Sequence, residues 1–299
     1  MKRQKNKVDG WVVLDKPIGP SSTQALGKVR WIFEAAKGGH GGTLDPLASG
    51  VLPIALGEAT KLIPFAMDGT KQYEFAVRWG AATATDDLEG SVVATSPIRP
   101  AEAAIRAALP AFEGEIEQLP PAFSAIKIDG KRAYELARAG EEVVLAPRKV
   151  LIHKLEYLES PDADTARFRV TCGKGTYVRS LARDLAGALG TVGHVTELRR
   201  TRVGKFTLES AISLARLEGF GHSPARFGAL APVETALDDI PVLAVTEEEA
   251  SALKQGRALR DPRIDRVPAE PIAAFQEGRL VALVASDGTS IRPVRVFNL

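Results

Sequence analysis

The pattern of apolar and polar positions predicts alternating strands and helices along the chain. Residues 10–15, GWVVLD, read as a first strand that ends at Lys16-Pro17. A helix is expected from Ser21 or Ser22, because Ser21 with Gln24 three residues on has the capping-box pattern. Leu26, Val29, Phe33 and Ala36 then recur at helical spacing, and Gly38-Gly39 is expected to stop the helix. VLPIALGEATKL carries the chain back into the core. QYEFAVRWG alternates: Tyr73, Phe75, Val77 and Trp79 share one side, while Glu74, Ala76 and Arg78 share the other, as in a half-buried strand. PAEAAIRAALPAF reads as a helix, with Pro100 near its start. A hairpin turn at Asp129-Gly130 precedes a short helix ending at Gly140. Phe168, Val170 and Cys172 alternate as on a strand. After a turn at Gly173 and Gly175, Val178, Leu181, Leu185 and Ala188 fit one helix face closed by Gly190. Gly/Pro/Phe-rich connections mark 218–233. Beyond about 240 the character changes to one helix, TEEEASALKQG, and short strands near 272–276, 280–286 and 291–298.

Composition bounds the class. The chain has 299 residues, 45% hydrophobic and 25% charged, enough for a proper core in one large domain or two. No apolar run reaches the roughly 20 residues of a membrane helix, and the four-residue apolar run after the basic start is too short for a signal peptide. A cytoplasmic protein is expected. One cysteine, Cys172, excludes an internal disulfide and zinc sites built from several cysteines. The four histidines show no metal-binding spacing, so no metal is expected. Net charge is only +2, but two basic clusters stand out: Lys2, Arg3, Lys5 and Lys7, and Arg199, Arg200, Arg202 and Lys205. Either is a candidate nucleic-acid contact or a solvated face.

Candidate chemistry centres on residues 39–50, GHGGTLDPLASG, with four glycines around one carboxylate, Asp45. Glycine is entropically costly within regular structure, so the run suggests a loop shaped for a purpose. CGKGT lacks the P-loop spacing, GGHGGT lacks G-x-G-x-x-G, and no G-x-S-x-G elbow occurs. Nucleotide-hydrolysing, dinucleotide-binding and serine-hydrolase readings are therefore rejected.

LDKPIGPSS, GHGGTLDPLASGVLPIALGEATK, KQYEFAVRWG, LPPAFSAIKIDGKRAYELAR, GTYVRSLARDLA and GHVTELRRTRVGKF resemble, in order, the segments of the TruB-type tRNA pseudouridine synthases, and cover most of residues 10–210. The tail after about 240 resembles, more weakly, a small RNA-binding domain of the PUA type, and its charge is balanced, with eight basic and eight acidic residues. The resemblance implies an α+β fold with a mixed, largely antiparallel sheet flanked by helices. It implies a catalytic domain over 1–239 and a β-rich PUA-like domain over 240–299. The implied reaction is conversion of uridine 55 in the tRNA T loop to pseudouridine, without cofactor or metal. A stand-alone bacterial form is implied, monomeric and with no obligatory protein partner.

The same resemblance implies residue roles. Asp45 is the catalytic group, as nucleophile at the sugar or as base in a glycal route. Arg179 is the cation that keeps it charged, able to hold a carboxylate bidentately. Tyr73 stacks on the target uracil. Leu198 lines the base pocket, and Tyr177 helps to shape it. His40 steadies flipped loop bases, with general acid catalysis as the competing role. Lys16 and Lys61 meet RNA backbone or pocket groups. The base must rejoin the ribose, so one carboxylate in a dry pocket suits the reaction better than two with room for water. A nucleosidase would need a second carboxylate, for which Glu58 and Asp86/Asp87 are candidates. A non-catalytic tRNA-folding chaperone using the same surface is the third reading.

Overall fold

The computed structural model describes residues 6–124, 126–128, 130–141, 143–237, 240–260 and 271–299. Its centre is a ten-stranded mixed sheet. The strands are β1 (Gly10–Lys16), β2 (Gly38–His40), β3 (Ala48–Leu56), β4 (Lys71–Trp79), β5 (Gly114–Gln118), β6 (Arg148–Asp162), β7 (Thr165–Cys172), β8 (Gly193–Val203), β9 (Phe206–Thr207) and β10 (Ile212–Ser213). The spatial order is β10-β1-β3-β8-β4-β7-β6-β5, with β2 on β3 and β9 on β8. Only the β1–β10 and β3–β8 pairings are parallel. The α+β, largely antiparallel fold is therefore present.

The two longest helices form the main cover of one face of this sheet. In α1 (Ser22–Phe33) the expected capping box is formed, with Ser21 as N-cap and Gln24 returning the bond. Ala25, Val29, Ile32 and Phe33 bury against Val12, Leu14, Leu52 and Ile54. The helix ends earlier than its apolar spacing suggests. Glu34 turns left-handed at φ 53° and donates its N–H to the Arg30 and Trp31 carbonyls, so Ala36 lies outside and Gly38-Gly39 belong to β2. In α2 (Val178–Ala188), Val178, Leu181, Ala182, Leu185 and Ala186 pack on Phe75, Val77, Trp79, Phe168 and Val170. Ala188, expected on that face, is exposed. Tyr73 and Leu198 touch both clusters, which places them at the seam between the two halves of the core.

The opposite face is treated differently at its two ends. Along β4, β7 and β8 it carries alternating charges, with Glu74 bonded to Arg169 at 2.6 Å and Arg167 to Glu197 at 3.1 Å. At β1 and β8 it is covered. Trp11, Val13, Val203 and Phe206 join Leu280, Leu283 and Phe297 in one buried cluster. Leu280 and Leu283 belong to, and Phe297 directly follows, a five-stranded sheet of β11 (Val242–Ala244), β12 (Leu259–Arg260), β13 (Ile272–Gln276), β14 (Arg279–Ser286) and β15 (Ser290–Val296), ordered β11-β13-β14-β15-β12. One helix, α3 (Glu247–Lys254), packs on it. This β-rich C-terminal unit thus shares core with the large sheet.

Three sequence expectations touch residues outside the description. Asp129 of the expected turn is one, although Lys127–Ile128 and Lys131–Arg132 do pair as a hairpin around it. Lys2, Arg3 and Lys5 of the first basic cluster are others, as is residue 239 at the expected domain boundary. No helix among the described residues is long and apolar enough to cross a membrane.

Candidate active site

The glycine-rich loop between β2 and β3 is held at every residue from 42 to 46. The carbonyls of Gly42 and Thr43 accept from Arg200, at 3.0 and 3.3 Å. Leu44 is locked to Ser22, the first residue of α1: its N–H donates to Oγ at 2.8 Å, and that hydroxyl donates to its carbonyl at 2.9 Å. The Asp45 carboxylate receives Arg179 Nη2 at 2.9 Å. The Pro46 carbonyl accepts from Gly19 N–H at 2.9 Å and more weakly from Lys16 at 3.4 Å. Such a loop can keep one carboxylate in one place.

Arg179 sits in the first turn of α2 and is 5% exposed. Its N-cap residue, Tyr177, is fixed by a two-way bond with Gln118, at 2.7 Å to its N–H and 3.1 Å from its carbonyl. The guanidinium does not grip Asp45 with both nitrogens. Nη2 serves Asp45 and the Phe123 carbonyl, at 3.0 Å for the latter. Nη1 serves the Thr85 carbonyl at 2.9 Å and faces Asp87 at 3.6 Å. The expected bidentate pair is thus replaced by a fork shared among four acceptors. The Asp45 side chain keeps 39% of its exposure, so the site is open on that side rather than a dry pocket.

A second carboxylate therefore lies on the same guanidinium. Asp87 is 7% exposed, and its oxygens are committed. Oδ1 accepts from the Thr85 hydroxyl and from Glu89 N–H, and Oδ2 faces Arg179. A carboxylate so enclosed is placed to orient Arg179, and water activation needs an oxygen with room beside it. The other candidates for that role are engaged elsewhere. Asp86 pairs with Arg183 at 3.0 Å, and Glu58 pairs with Lys61 at 2.7 Å.

Tyr73 and Leu198 flank the loop from the sheet. Across β3, β8, β4 and β7 the register places Gly50, Arg200, Tyr73 and Val170 in one row, with Ala48, Leu198 and Phe75 in the row beside it. Burial pushes the Tyr73 phenol above its ordinary value, while the nearby Arg200 charge opposes the rise. Tyr177 is likewise raised by burial. His40 occupies β2 opposite Ile54, so a strand holds it rather than a free loop. Burial, helped by Arg200, lowers its pKa and favours the neutral imidazole. Its Nδ1 is enclosed without a hydrogen-bond partner among the described residues.

Of the two lysines, the structure brings Lys16 to the loop and Lys61 to another group. Lys16 is fully buried and donates to the Pro17 and Pro20 carbonyls at 2.8 and 2.9 Å. Burial pulls its pKa down to about 8, Asp45 pulling it back up. Lys61 donates to Glu58 and to the Val296 carbonyl, both at 2.7 Å, and lies over the Phe297 ring. These partners tie it to the C-terminal unit.

Sequence reading misses Arg200, Ser22 and the pairing of Arg179 with Asp87. It also takes Arg199, Arg200, Arg202 and Lys205 as one basic patch. A strand sends neighbours to opposite faces. Arg199 accordingly pairs with Asp15 at 2.9 Å on the charged face, while Arg200 is 1% exposed under the loop. Among the described residues no group of three or more His, Cys, Asp or Glu side chains could hold a metal ion.

Comparison with known proteins adds the following. Residues 30–178 match the family described as TruB family pseudouridylate synthase (N terminal domain). Residues 179–238 match tRNA pseudouridylate synthase B C-terminal domain, and 240–298 match tRNA Pseudouridine synthase II, C terminal. The chain is 53% identical to tRNA pseudouridine synthase B of Caulobacter vibrioides over 100% of this chain and 99% of that protein. It is 54% identical to the protein of that name from Bradyrhizobium diazoefficiens, over 100% and 88%. Among solved structures, a chain of a Cbf5-Nop10-Gar1 complex superposes with TM-score 0.73 at 29% identity, over 97% of this chain and 84% of that one. A chain of an H/ACA RNP bound to a substrate RNA containing 2'-deoxyuridine does so with the same score at 26% identity, over 97% and 85%.

Proposed function

This chain belongs to the TruB family of pseudouridylate synthases, as a tRNA pseudouridine synthase, and we propose that its target is uridine 55 in the T loop. The observation that carries the reading is the 2.9 Å contact between Asp45 and the buried Arg179, in a loop pinned at each residue beside Tyr73 and Leu198. The reaction breaks the bond from C1' of the ribose to N1 of uracil. It turns the base and joins C1' to C5, and the C5 proton leaves as N1 gains one. Asp45 acts as nucleophile at C1', or as the base that takes a C2' proton and returns it. Either role uses the carboxylate as the anion, which the Arg179 guanidinium contacts at 2.9 Å. Tyr73 stacks on the uracil, Leu198 and Tyr177 bound its pocket, and neutral His40 packs against splayed loop bases. Lys16 supplies positive charge beside Asp45. A loop uridine is a reachable target, because its base can be unstacked for a few kcal/mol.

The catalytic domain is assigned to 1–239 and the PUA-like domain to 240–299, the latter adding phosphate contacts to the grip on tRNA. The protein works in the cytoplasm, as a monomer, without a protein partner or cofactor, and assists tRNA folding through the same surface. Mapping pseudouridine in tRNA from cells lacking this protein tests the target. Position 55 is expected to lose its pseudouridine and to regain it with an added copy. Loss at a different position instead would displace uridine 55 from this reading.

A further inference from the structure

The chemistry proposed above leaves a buried cation beneath the loop unused. Arg200 is 1% exposed on β8, and no carboxylate among the described residues lies within ion-pair distance of it. Its guanidinium donates to backbone instead, to Gly42 at 3.0 Å, Thr43 at 3.3 Å and Val51 at 2.8 Å, and it also meets the Tyr73 hydroxyl. Two of these carbonyls stand three and two residues before Asp45 in the chain. The third lies on β3, beyond the loop. The fork therefore closes the loop across its base.

The glycines that flank Asp45 fit this clamp. Gly42 takes φ +108° with only Arg200 Nη1 near where a Cβ would stand, at 3.4 Å. Gly50 takes φ +103°, and a Cβ there would collide with the Arg200 carbonyl oxygen. Both conformations favour glycine. A buried guanidinium without a carboxylate is expensive to desolvate, and an apolar residue of similar volume would fill the space at lower cost. Its hydrogen bonds have a geometric consequence that no apolar side chain could supply.

We propose that Arg200 is a positioning residue, whose fork fixes the 42–45 backbone so that the Asp45 carboxylate stays aligned with Arg179 and the target ribose. This rests on the reading of Asp45 as the catalytic group. A lysine at 200 keeps the charge but cannot span three carbonyls in a plane.

The test compares single-turnover pseudouridine formation with tRNA affinity for Arg200→Lys, Gly42→Ala and Asp45→Asn. Leu253→Ala, in the C-terminal core, serves as a control for lost stability. Arg200→Lys is expected to slow the chemical step on the order of 100-fold, the scale of a 1 Å misplacement. Its tRNA affinity should stay within about 3-fold, because the loss lies in the transition state. A chemical rate within about 3-fold of wild type overturns the proposal. So does a slowing no greater than that of Leu253→Ala at equal thermal stability, or a loss confined to affinity. If Arg200→Lys does not fold, Gly42→Ala decides: slowed chemistry with retained affinity supports the clamp, and a wild-type rate overturns it. An inactive Asp45→Asn beside a fully active Arg200→Lys sinks only the clamp. An active Asp45→Asn sinks the reading beneath it.

Discussion

A single guanidinium, Arg179, connects most of what the site does. It meets four acceptors at once: Asp45, Asp87 and the carbonyls of Thr85 and Phe123. Arg179→Lys should slow turnover by about 100-fold or more, since an ammonium cannot hold that planar array. Stability should fall by roughly 1–3 kcal/mol as buried carbonyls lose donors. Single-turnover rates and denaturant melts check both, and an unchanged rate would remove the ion pair from the account. Lys16 gives a pH prediction. Its folded pKa, about 8, is below the ordinary 10.5, so the unfolded chain binds more protons between those values. The charged form therefore costs stability below pH 8, and stability rises with pH from there to about 10.5, by at most about 1.4 kcal/mol per unit. Lys16→Met should flatten that rise in melts between pH 7.5 and 9.5, and an unchanged slope would refute the buried-charge argument. Asp45, Arg179 and Tyr73 were reachable from the sequence as candidates, through the resemblance that their local segments carry. Arg200 was not. In LRRTR it looks like its neighbours, and only the strand's two-residue period separates a buried clamp from the exposed Arg199 face.

At the level of elements, glycine means different things in different places. Gly187 lies in α2 with nothing within 4 Å of where a Cβ would stand. Gly187→Ala should raise stability by about 0.5–1 kcal/mol and leave activity alone, by the ordinary helix preference for alanine. Gly50→Ala should do the reverse, costing upwards of about 2 kcal/mol because backbone, not a yielding side chain, blocks the methyl. Thermal melts of the pair check the contrast, and equal effects would contradict the packing of β3 on β8. Periodicity located β1, β4, β7 and both covering helices well, since their buried faces repeat at regular spacing. It failed at the end of α1, where the apolar spacing runs on but the chain turns left-handed at Glu34. Such a turn is set by the following strand's need to reach β3.

Across the whole molecule, the C-terminal unit is joined to the large sheet by more than a linker. Phe297, Leu280 and Leu283 share a cluster with Trp11, Val203 and Phe206, and Asn298 donates its N–H to Glu58 at 2.8 Å. Strands β13, β14 and β15 were foreseeable from the sequence, while β11 and β12 were not; nor was its docking, because no local pattern announces which apolar face meets which. Cutting the chain near 240 should therefore destabilise the large sheet as well as weaken tRNA binding. Phe297→Ala should cost about 3–5 kcal/mol and lower a single cooperative melt. Two separate transitions in calorimetry would contradict the shared core. The central claim, that one pinned carboxylate carries the chemistry, is tested most directly by single-turnover conversion of the proposed target, uridine 55, with Asp45→Asn in excess over a bound tRNA. The account predicts wild-type tRNA binding and no pseudouridine. Product formed near the wild-type rate would contradict it.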